Sequence, residues 1–309
     1  MIRRQQVAYR CVVLTKQVPD TKKITGDVMN DDGTVKRSAL PAVFNPEDLN
    51  ALEMALQIKD RFGGHVTVVT MGLPAAAGIL RDSLYRGADD VILVTDRRCA
   101  GSDTLATSYI LSCAVKKLDY DFVLCGRQAI DGDTAQVGPQ LAEKLGIPQI
   151  TYVEELELLE AKDITVRRNI GNGWQRIKAK LPVLLTVIGE ANEPRVAAAR
   201  RLMKYKNAQT PLEVALRCED ENPEADDTTL RDIAEQRCRE MEQRNLIIKQ
   251  WDLDVLKADL NWCGMAGSPT KVHRIQSVVL TAKESKDVEP TEAGISDLIH
   301  ELIADRTIA

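Results

Sequence analysis

The chain has 309 residues, of which 44% are hydrophobic, and this is enough to bury the core of one large α/β domain. Its 46 acidic and 41 basic residues give a net charge of −5 without a basic block, which argues against a nucleic-acid partner. No apolar run reaches the roughly 18 residues of a membrane span, and Met1 to Arg10 lacks a signal-peptide core. We therefore expect a cytoplasmic protein that does not span a membrane.

Short β-branched, apolar runs alternate with helical patterns in the first two thirds of the chain. Near-continuous apolar strands separated by helices are typical of a parallel sheet that is covered on both faces. The sequence therefore predicts an open, mostly parallel α/β sheet. The predicted strands are Cys11 to Thr15, Val66 to Thr70, Val91 to Val94, Phe122 to Cys125 and Val183 to Val187.

The first helix is signalled at both ends. Asn45 is a candidate N-cap, Pro46 suits the first helical position, and the acidic residues Glu47 and Asp48 suit the positive end of the helix. Gly63 is predicted to end it. Two later helices are predicted to begin near Pro74 and at the cap Asp103.

The pattern changes after about Asn192. We predict an α/β domain over residues 1–191, and a recognition loop with a C-terminal arm that embraces a partner over residues 192–309. Residues 217–250 are rich in charged side chains. Within the second part we predict helices over Ala197 to Lys206 and Leu230 to Leu246, a loop over Glu219 to Asp227, and a strand over Ser277 to Leu280.

The seven cysteines show no C-x-x-C spacing, and His65, His273 and His300 are isolated in the sequence. An odd number of unclustered cysteines does not indicate a disulfide framework, an iron–sulfur cluster or a zinc site. We therefore predict free thiols and no metal site.

The segment Gly126 to Pro139 follows a buried strand and opens a helix that Gly146 closes. A loop in this place is where open α/β sheets bind anions. Gly126 and Gly132 would allow positive φ angles and a close backbone approach, while Thr134 to Gln136 would present amides and hydroxyls to a pyrophosphate.

Two aspartates complicate this interpretation, because carboxylates repel phosphate. Asp131 and Asp133 would have to cap amides or bond a ribose or an adenine. The alternative is a structural strand-to-helix turn that Asp133 caps. The loop is neither a Walker loop nor G-x-G-x-x-G, and Lys16, after the first strand, is a second candidate for phosphate binding.

Several segments together resemble the β subunit of electron transfer flavoprotein, and they occur in the order of that family over nearly the whole chain. They are VVLTKQVPD from Val12, NPED from Asn45, TMG from Thr70, GRQAIDGDTAQVGPQLAEKLGIPQITYV from Gly126, NEPR from Asn192 and GSPTKV from Gly267.

The resemblance implies a Rossmann-like, adenine-nucleotide-binding fold and a partner, the α subunit, which carries a mobile FAD domain. The β subunit of this family holds AMP or a second FAD in a pocket made by these loops, and no side chain is expected to be catalytic. The implied cofactor-binding residues are Leu14, Lys16, Asn45, Pro46, Glu47, Asp48, Met71, Asp103, Thr104, Gly126, Arg127, Gln128, Ala129, Ile130, Asp131, Gly132, Asp133, Thr134, Ala135, Gln136 and Val137.

The segments QVPDT, NPEDLNALE, TDRRCAGSDTLATSY and DGDTAQVGP are similar to the electron-bifurcating branch of the family. That similarity implies an FAD that takes hydride from NADH, passes one electron to the FAD of the α subunit and passes the other to a low-potential acceptor. Ferredoxin or further redox subunits, iron–sulfur or quinone-linked, are implied as partners. Arg127 could stabilise a flavin anion or pair with a carboxylate.

Three other functions stay open. The first is a non-bifurcating carrier with structural AMP. The second is an ATP-cleaving enzyme of similar fold, which fold alone does not exclude. The third is an assembly protein with an empty pocket.

The recognition loop is expected at Ala191, Asn192, Glu193, Pro194 and Arg195. Carriers that serve acyl-CoA dehydrogenases resemble one another in a leucine directly before Asn-Glu-Pro, where this chain has Ala191. Residues 217–250 look longer than the usual connection of this family before GSPT and are predicted to be an insertion, either a solvated surface or an added docking surface. We therefore expect a different partner mode and a larger stable redox complex.

Overall fold

A computed structural model describes residues 8–20, 41–270 and 287–304. Residues 8–20 and 41–270 belong to one compact unit. Residues 287–304 belong to a second unit, in which Glu292–Ala304 forms a helix. The predicted strand Ser277 to Leu280 lies outside the described residues, and the predicted division at residue 191 stays a prediction.

One mixed sheet forms the centre of the first unit. Among the described residues its order is β11-β5-β4-β1-β6-β10-β7-β8-β9, and neighbouring strands are parallel from β11 to β7 and antiparallel from β7 to β9. A separate antiparallel pair joins β2 and β3. The strands are β1 Tyr9–Thr15, β2 Gln17–Pro19, β3 Ala42–Phe44, β4 Gly64–Met71, β5 Asp90–Val94, β6 Phe122–Gly126, β7 Gln149–Glu160, β8 Asp163–Asn169, β9 Trp174–Lys180, β10 Val183–Val187 and β11 Lys249–Trp251.

All five predicted strands are present, which confirms the mostly parallel α/β sheet. The strands β7, β8 and β9 were not predicted. Most of their side chains are partly or fully exposed, so their sequences lack the continuous apolar runs that mark buried strands.

The helices lie at or near their predicted starts. Gly63 and Gly146 cap the ends of α1 and α4, as predicted. The helices of the first unit are α1 Pro46–Phe62, α2 Ala77–Arg86, α3 Thr104–Val115, α4 Val137–Leu145, α5 Ala199–Tyr205, α6 Pro211–Glu221, α7 Asp227–Gln243 and α8 Leu253–Leu256. The helix of the second unit is α9.

The predicted loop from Glu219 to Asp227 is wrong in extent. Glu219 to Glu221 complete α6, and α7 begins at Asp227, with Asp226 as its N-cap. The helices α6 and α7 pack together. Cys218, Leu246 and Ile248 are buried in the main core, so residues 217–250 contribute to the core as well as to the surface.

The sheet separates two apolar layers. Along β1, Cys11 and Val13 pack into a cluster with residues of α1 and α2, while Val12 and Leu14 pack into a second cluster with residues of α3 and α4. This alternation follows from the two-residue period of a strand. Both faces of the central strands are therefore buried.

The strand order places a crevice at one edge of the sheet. After β1 the chain adds β4 and then β5 on one side, and β6 then forms on the other side of β1. In open α/β sheets such a change of direction separates the loops at the carboxyl ends of the two strands, and ligands bind between these loops. The loops that follow β1 and β6 here begin at Lys16 and Arg127.

Candidate functional site

Asn45 connects the two sides of this crevice. Its Nδ2 donates to the carbonyl oxygen of Gln128 at 2.9 Å, and its Oδ1 accepts the N–H of Ile130 at 3.1 Å. The side chain of Asn45 makes no capping bond to the backbone of α1, although Asn45 occupies the N-cap position. The predicted capping bond of Asn45 is therefore wrong, because the loop after β6 takes its polar atoms.

Asp48 joins the strands from within the first turn of α1. Its Oδ2 accepts the N–H of Lys16 at 2.8 Å, and its Oδ1 accepts the N–H of Gly126 at 2.9 Å. Only 6% of Asp48 is exposed. Burial raises the pKa of Asp48 to about 7, although the two amides act in the opposite direction. One buried carboxyl group thus fixes the carboxyl ends of β1 and β6 to each other.

Gly126 and Gly132 differ in their surroundings. A Cβ atom on Gly126 would lie 2.6 Å from Oδ1 of Asp48, whereas a Cβ atom on Gly132 would meet nothing within 4 Å. The predicted positive φ angles occur instead at Asp133, with φ 47°, and Ala135, with φ 53°. The expectation of positive φ angles at these two glycines is therefore wrong. Of the two, only Gly126 must be a glycine to avoid a clash with a neighbouring residue.

The residues before α4 form a concave arrangement of backbone amides. Ala135 has a left-handed φ, and the next residue, Gln136, is right-handed, with φ −102° and ψ −30°. Adjacent residues of opposite hand turn their N–H groups toward the same side and create an anion-binding nest. Gln136 makes no side-chain capping bond to α4, so the positive end of the helix adds to this nest.

The two aspartates of the loop are bonded within the chain. Both carboxylate oxygens of Asp131 accept from Nζ of Lys16, at 2.7 and 2.8 Å. Oδ1 of Asp133 accepts from the side-chain amide of Gln128 at 3.0 Å. Lys16 therefore neutralises Asp131 and is not free as an independent phosphate ligand, a pairing that the sequence did not predict.

Asp103 and Thr104 connect α3 to the same loop. Oδ1 of Asp103 accepts the N–H groups of Leu105 and Ala106, at 2.9 and 3.0 Å, which confirms the predicted cap. Oγ1 of Thr104 lies 2.9 Å from Oε1 of Gln136 and donates to it. The amino ends of α3 and α4 are thus linked next to the nest.

Arg127 lies at the start of the loop. Its Nη2 is 2.8 Å from Oε1 of Glu47, and its guanidinium group lies over the ring of Tyr152, 5.5 Å from the centroid. Its Nε is buried without a hydrogen-bond partner in the described chain. Arg127 thus pairs with the carboxylate of Glu47, which was one of its two predicted roles. Its role toward a flavin stays a prediction. Its contact with Tyr152 was not predicted from the sequence.

The remaining predicted cofactor residues take several positions. Leu14 is buried in the second core cluster, and Met71 ends β4 and packs against that cluster. Pro46 is the first residue of α1, and Val137 is the first residue of α4. The carbonyl oxygen of Ala129 accepts the N–H groups of Gly132 and Asp133. Thr134 is exposed in the loop. The direct contacts of all these residues with a nucleotide stay predictions.

The predicted recognition segment is fastened to α1. Nδ2 of Asn50 donates to the carbonyl oxygen of Asn192 at 2.7 Å, and Asn192 Nδ2 donates to the carbonyl oxygen of Asn50 at 3.0 Å. Arg195 forms a two-bond pair with Glu53, at 2.8 and 3.0 Å. Burial alone would raise the pKa of Glu53, but the bonds from Arg195 outweigh it and lower that pKa. Glu193 and Pro194 lie between these two anchors.

A cavity of about 400 Å³ borders this segment. Four apolar residues line it, namely Met54 and Ile58 of α1, Leu156 of β7 and Ala191. The rest of the lining is polar or charged and consists of Gln57, Arg61, Glu154, Glu155, Arg167 and Glu190. Ala191 is partly buried against the main core. The position at which the resemblance implies an anchor leucine thus lies beside an open pocket with a mostly polar surface.

The seven cysteines are free, as predicted. Within residues 8–20, 41–270 and 287–304, no group of three or more histidine, cysteine or acidic residues could hold a metal ion. In the same part of the chain, no helix has the length and apolarity to cross a membrane.

Comparisons with known proteins identify the family of this chain. Residues 32–214 match the electron transfer flavoprotein domain family. The β subunit of electron transfer flavoprotein from Clostridium acetobutylicum is 41% identical over 266 residues, which cover 85% of this chain and 86% of that protein. The β subunit from Megasphaera elsdenii is 38% identical over 310 residues, which cover 96% of this chain and 99% of that protein.

A third relative is subunit CarD of the caffeyl-CoA reductase–Etf complex of Acetobacterium woodii. It is 46% identical over 196 residues, which cover 63% of this chain and 74% of CarD. The chain therefore belongs to the electron transfer flavoprotein family and is similar to its β subunits over most of its length.

Proposed function

We propose that this β subunit holds FAD in the crevice between the loops after β1 and β6, and that this FAD takes hydride from NADH in an electron-bifurcating complex. The observation that supports the site is the nest at Ala135 and Gln136, at the amino end of α4. A nest at a helix amino end suits the pyrophosphate of a dinucleotide.

The charges around the nest favour an anion in spite of the neighbouring carboxylates. Lys16 pairs with Asp131, and the side chain of Gln128 bonds Asp133. Arg127 pairs with Glu47, and its buried Nε has no hydrogen-bond partner among the described residues. The remaining donors are backbone amides, which bind phosphate through hydrogen bonds and through the helix dipole.

The preference for FAD over AMP comes from the sequence pattern and from a relative. The nest suits the phosphate of either nucleotide. The segments around Asn45, Asp103 and Gly132 resemble the bifurcating branch, and CarD is a subunit of a complex that is named for both a reductase and an Etf.

The chain's own residues supply positioning and electrostatics. Asn45 and Asp48 hold the two loops at a fixed separation, so the nucleotide is bound by a preformed cradle. Arg127 is oriented by Glu47 and Tyr152 and provides a fixed positive charge at the start of the loop. The bound FAD supplies hydride acceptance and the release of single electrons.

The proposed partners are an α subunit with its own FAD and further redox proteins, such as ferredoxin or iron–sulfur or quinone-linked subunits. We place this assembly in the cytoplasm. The α-subunit FAD takes one electron, and the low-potential partner takes the other.

The test is to copurify the chain with its α subunit, denature the complex and quantify the released FAD and AMP per heterodimer. Two FAD and no AMP are expected. One FAD and one AMP would exclude FAD at this site. Stopped-flow mixing with NADH then measures whether the second flavin loses its oxidised absorbance, and a complex with two FAD that NADH does not reduce would exclude the NADH step.

Gly132→Val provides a specific control for the location of the site. No protein atom lies within 4 Å of a Cβ atom at this position, so the side chain would meet a bound nucleotide and not the fold. We expect the variant to lose one FAD per heterodimer and to unfold at the temperature of the wild type from which this nucleotide has been removed, because bound nucleotide itself stabilises the fold. Full FAD occupancy would place the nucleotide elsewhere.

A further inference from the structure

Asp103 belongs to the predicted nucleotide contacts, but its carboxylate is fully used within the chain. Its Oδ1 accepts the N–H groups of Leu105 and Ala106. Its Oδ2 accepts the N–H of Thr270, at 3.1 Å, and the hydroxyl of Thr270. An ionised carboxylate offers about four lone-pair sites. Four donors of the chain therefore fill it, and no acceptor site is left for a ribose or an adenine.

Thr270 ends a segment that is seated against the loop before α3. Oγ of Ser268 accepts the N–H of Asp103 at 2.8 Å and lies 2.7 Å from the carbonyl oxygen of Gly264. Gly264 has a φ of 54°, and a Cβ atom there would lie 2.2 Å from the carbonyl oxygen of Arg98. Only glycine allows this approach, so the position of Thr270 is defined by close contact with the loop.

The bonds continue from Thr270 to the nest. Asp103 is followed by Thr104, whose hydroxyl donates to Oε1 of Gln136. The side-chain amide of Gln140 lies 3.4 Å from Oγ1 of Thr104, and Gln140 Oε1 lies 3.3 Å from Oγ of Ser108. A displacement of Asp103 would therefore move Thr104 and, through it, one of the two residues that form the nest.

We propose that Asp103 is a positioning residue that does not touch the nucleotide. Its carboxylate binds Thr270, and Asp103 thereby fixes the position of the next residue, Thr104, whose hydroxyl bonds Gln136 in the nest. This rests on the proposed function, because it requires a nucleotide at the nest. Thr270 is the last residue of the described range 41–270.

The experiment compares substitutions on both sides of the bond in the purified heterodimer. Thr270→Val removes the hydroxyl, and Thr270→Ser keeps it. Asp103→Asn keeps an acceptor for the cap of α3, since asparagine caps as well as aspartate does, but it turns an N–H donor toward the N–H of Thr270. Asp226→Asn is the matched control, because Asp226 caps α7 through the N–H of Thr229 at 2.7 Å and lies away from the nest.

The readout is the rate at which each heterodimer releases the nucleotide that the wild type retains, with FAD and AMP as the two added probes. A hydrogen bond to a charged acceptor contributes enough free energy to change the release rate about tenfold, if its loss weakens nucleotide binding at the nest by the full amount. We expect about three- to tenfold faster release from Thr270→Val and Asp103→Asn. Thr270→Ser and Asp226→Asn should release at the wild-type rate.

The double variant Thr270→Val with Asp103→Asn should release no faster than Asp103→Asn alone, because both changes break one connection. Wild-type release from Thr270→Val, or full additivity in the double variant, would overturn the proposal. A large loss in Asp103→Asn together with no effect of Thr270→Val would make Asp103 a direct ligand. A wild type that retains AMP would refute FAD at the site but would leave this comparison valid.

Discussion

Gly126 lies against the carboxylate of Asp48. The N–H of Gly126 donates to Oδ1 at 2.9 Å, and a Cβ atom on Gly126 would lie 2.6 Å from the same oxygen. The end of β6 and the first turn of α1 are thus in direct contact, with no room for a side chain. This contact sets the distance between the two loops of the crevice.

We predict that Gly126→Ala lowers the free energy of unfolding of the heterodimer by about 1–3 kcal/mol, because overpacking forces the backbone of β6 or α1 to shift. The same shift should separate the loops and release nucleotide. Denaturant unfolding and nucleotide quantification measure the two effects. Gly132→Ala is the control for stability alone, measured without nucleotide, with a change within about 0.5 kcal/mol, since a Cβ atom there meets nothing within 4 Å. Equal losses of stability in both variants would refute the steric argument.

Asn45→Ala should weaken nucleotide binding and lower stability. Asn45 is fully buried, and its removal leaves the N–H of Ile130 and the carbonyl oxygen of Gln128 without their partner. Each lost bond costs about 0.5–1.5 kcal/mol. Denaturant unfolding and nucleotide titration measure the two losses.

Asn50→Ala is the matched control for this variant. Asn50 is also buried in the first half of α1, but it bonds Gly189 and Asn192. Its loss should lower stability without weakening nucleotide binding. If both variants bind nucleotide equally well, Asn45 does not hold the cradle.

The sequence predicted the sheet better than the site, and Asn45 illustrates the reason. An asparagine before Pro46 fits the local rule for a helix cap, but its bonding partners lie 83 and 85 residues away in the chain. Rules based on residues that are close in the sequence cannot predict contacts between residues that are so far apart. The pairing of Lys16 with Asp131, separated by 115 residues, escaped prediction for the same reason.

Local sequence patterns predicted a strand correctly where all of its residues are buried to the same degree. Val183–Val187 is buried along its length, and its predicted bounds agree with the structure. In β7 the burial changes from residue to residue and the register shifts at Val153 and Leu156. The strand therefore shows neither a continuous apolar run nor strict alternation.

Asp48 gives a prediction for pH dependence. Its pKa in the folded chain is about 7, above the ordinary value of 3.8, because burial disfavours the charged form. The folded state then binds more protons than the unfolded state between these two values. The free energy of unfolding should therefore decrease as the pH rises toward 7, by at most about 1.4 kcal/mol per pH unit, and this contribution should become constant above 7.

Asp48→Asn removes this titration. The stability of the variant relative to the wild type should rise from about pH 5 to about pH 7 and then stay constant. Denaturant unfolding of both heterodimers over this range measures the difference. A difference that does not depend on pH, or one that changes in the opposite direction, would show that the pKa of Asp48 is not raised.

The last prediction concerns Ala191 and the choice of electron donor. The sequence resemblance implies that carriers which serve acyl-CoA dehydrogenases have a docking leucine at this position, and this chain departs from that pattern. Here Ala191 is partly buried against the core and borders a cavity of about 400 Å³, together with Met54, Ile58 and Leu156. A leucine at position 191 should therefore extend into this pocket, against its apolar residues, and be less available to a partner. Each buried methylene contributes about 0.8 kcal/mol, and an open pocket with polar walls buries the leucine only in part, so Ala191→Leu should raise the stability by at most about 1 kcal/mol. It should not increase the rate at which an acyl-CoA dehydrogenase reduces the heterodimer.

Val196→Leu is the control for an added apolar group that points outward. Val196 is 83% exposed and follows Arg195, which Glu53 and Asp60 hold in place. A larger side chain there gains little burial, so its stability should stay within about 0.5 kcal/mol of the wild type. Thermal unfolding and stopped-flow reduction, applied to both variants, separate a filled cavity from a new contact. If Ala191→Leu leaves the stability unchanged and accelerates reduction by the dehydrogenase, the side chain points outward. The fastened segment would then need only a leucine to serve that class of donor.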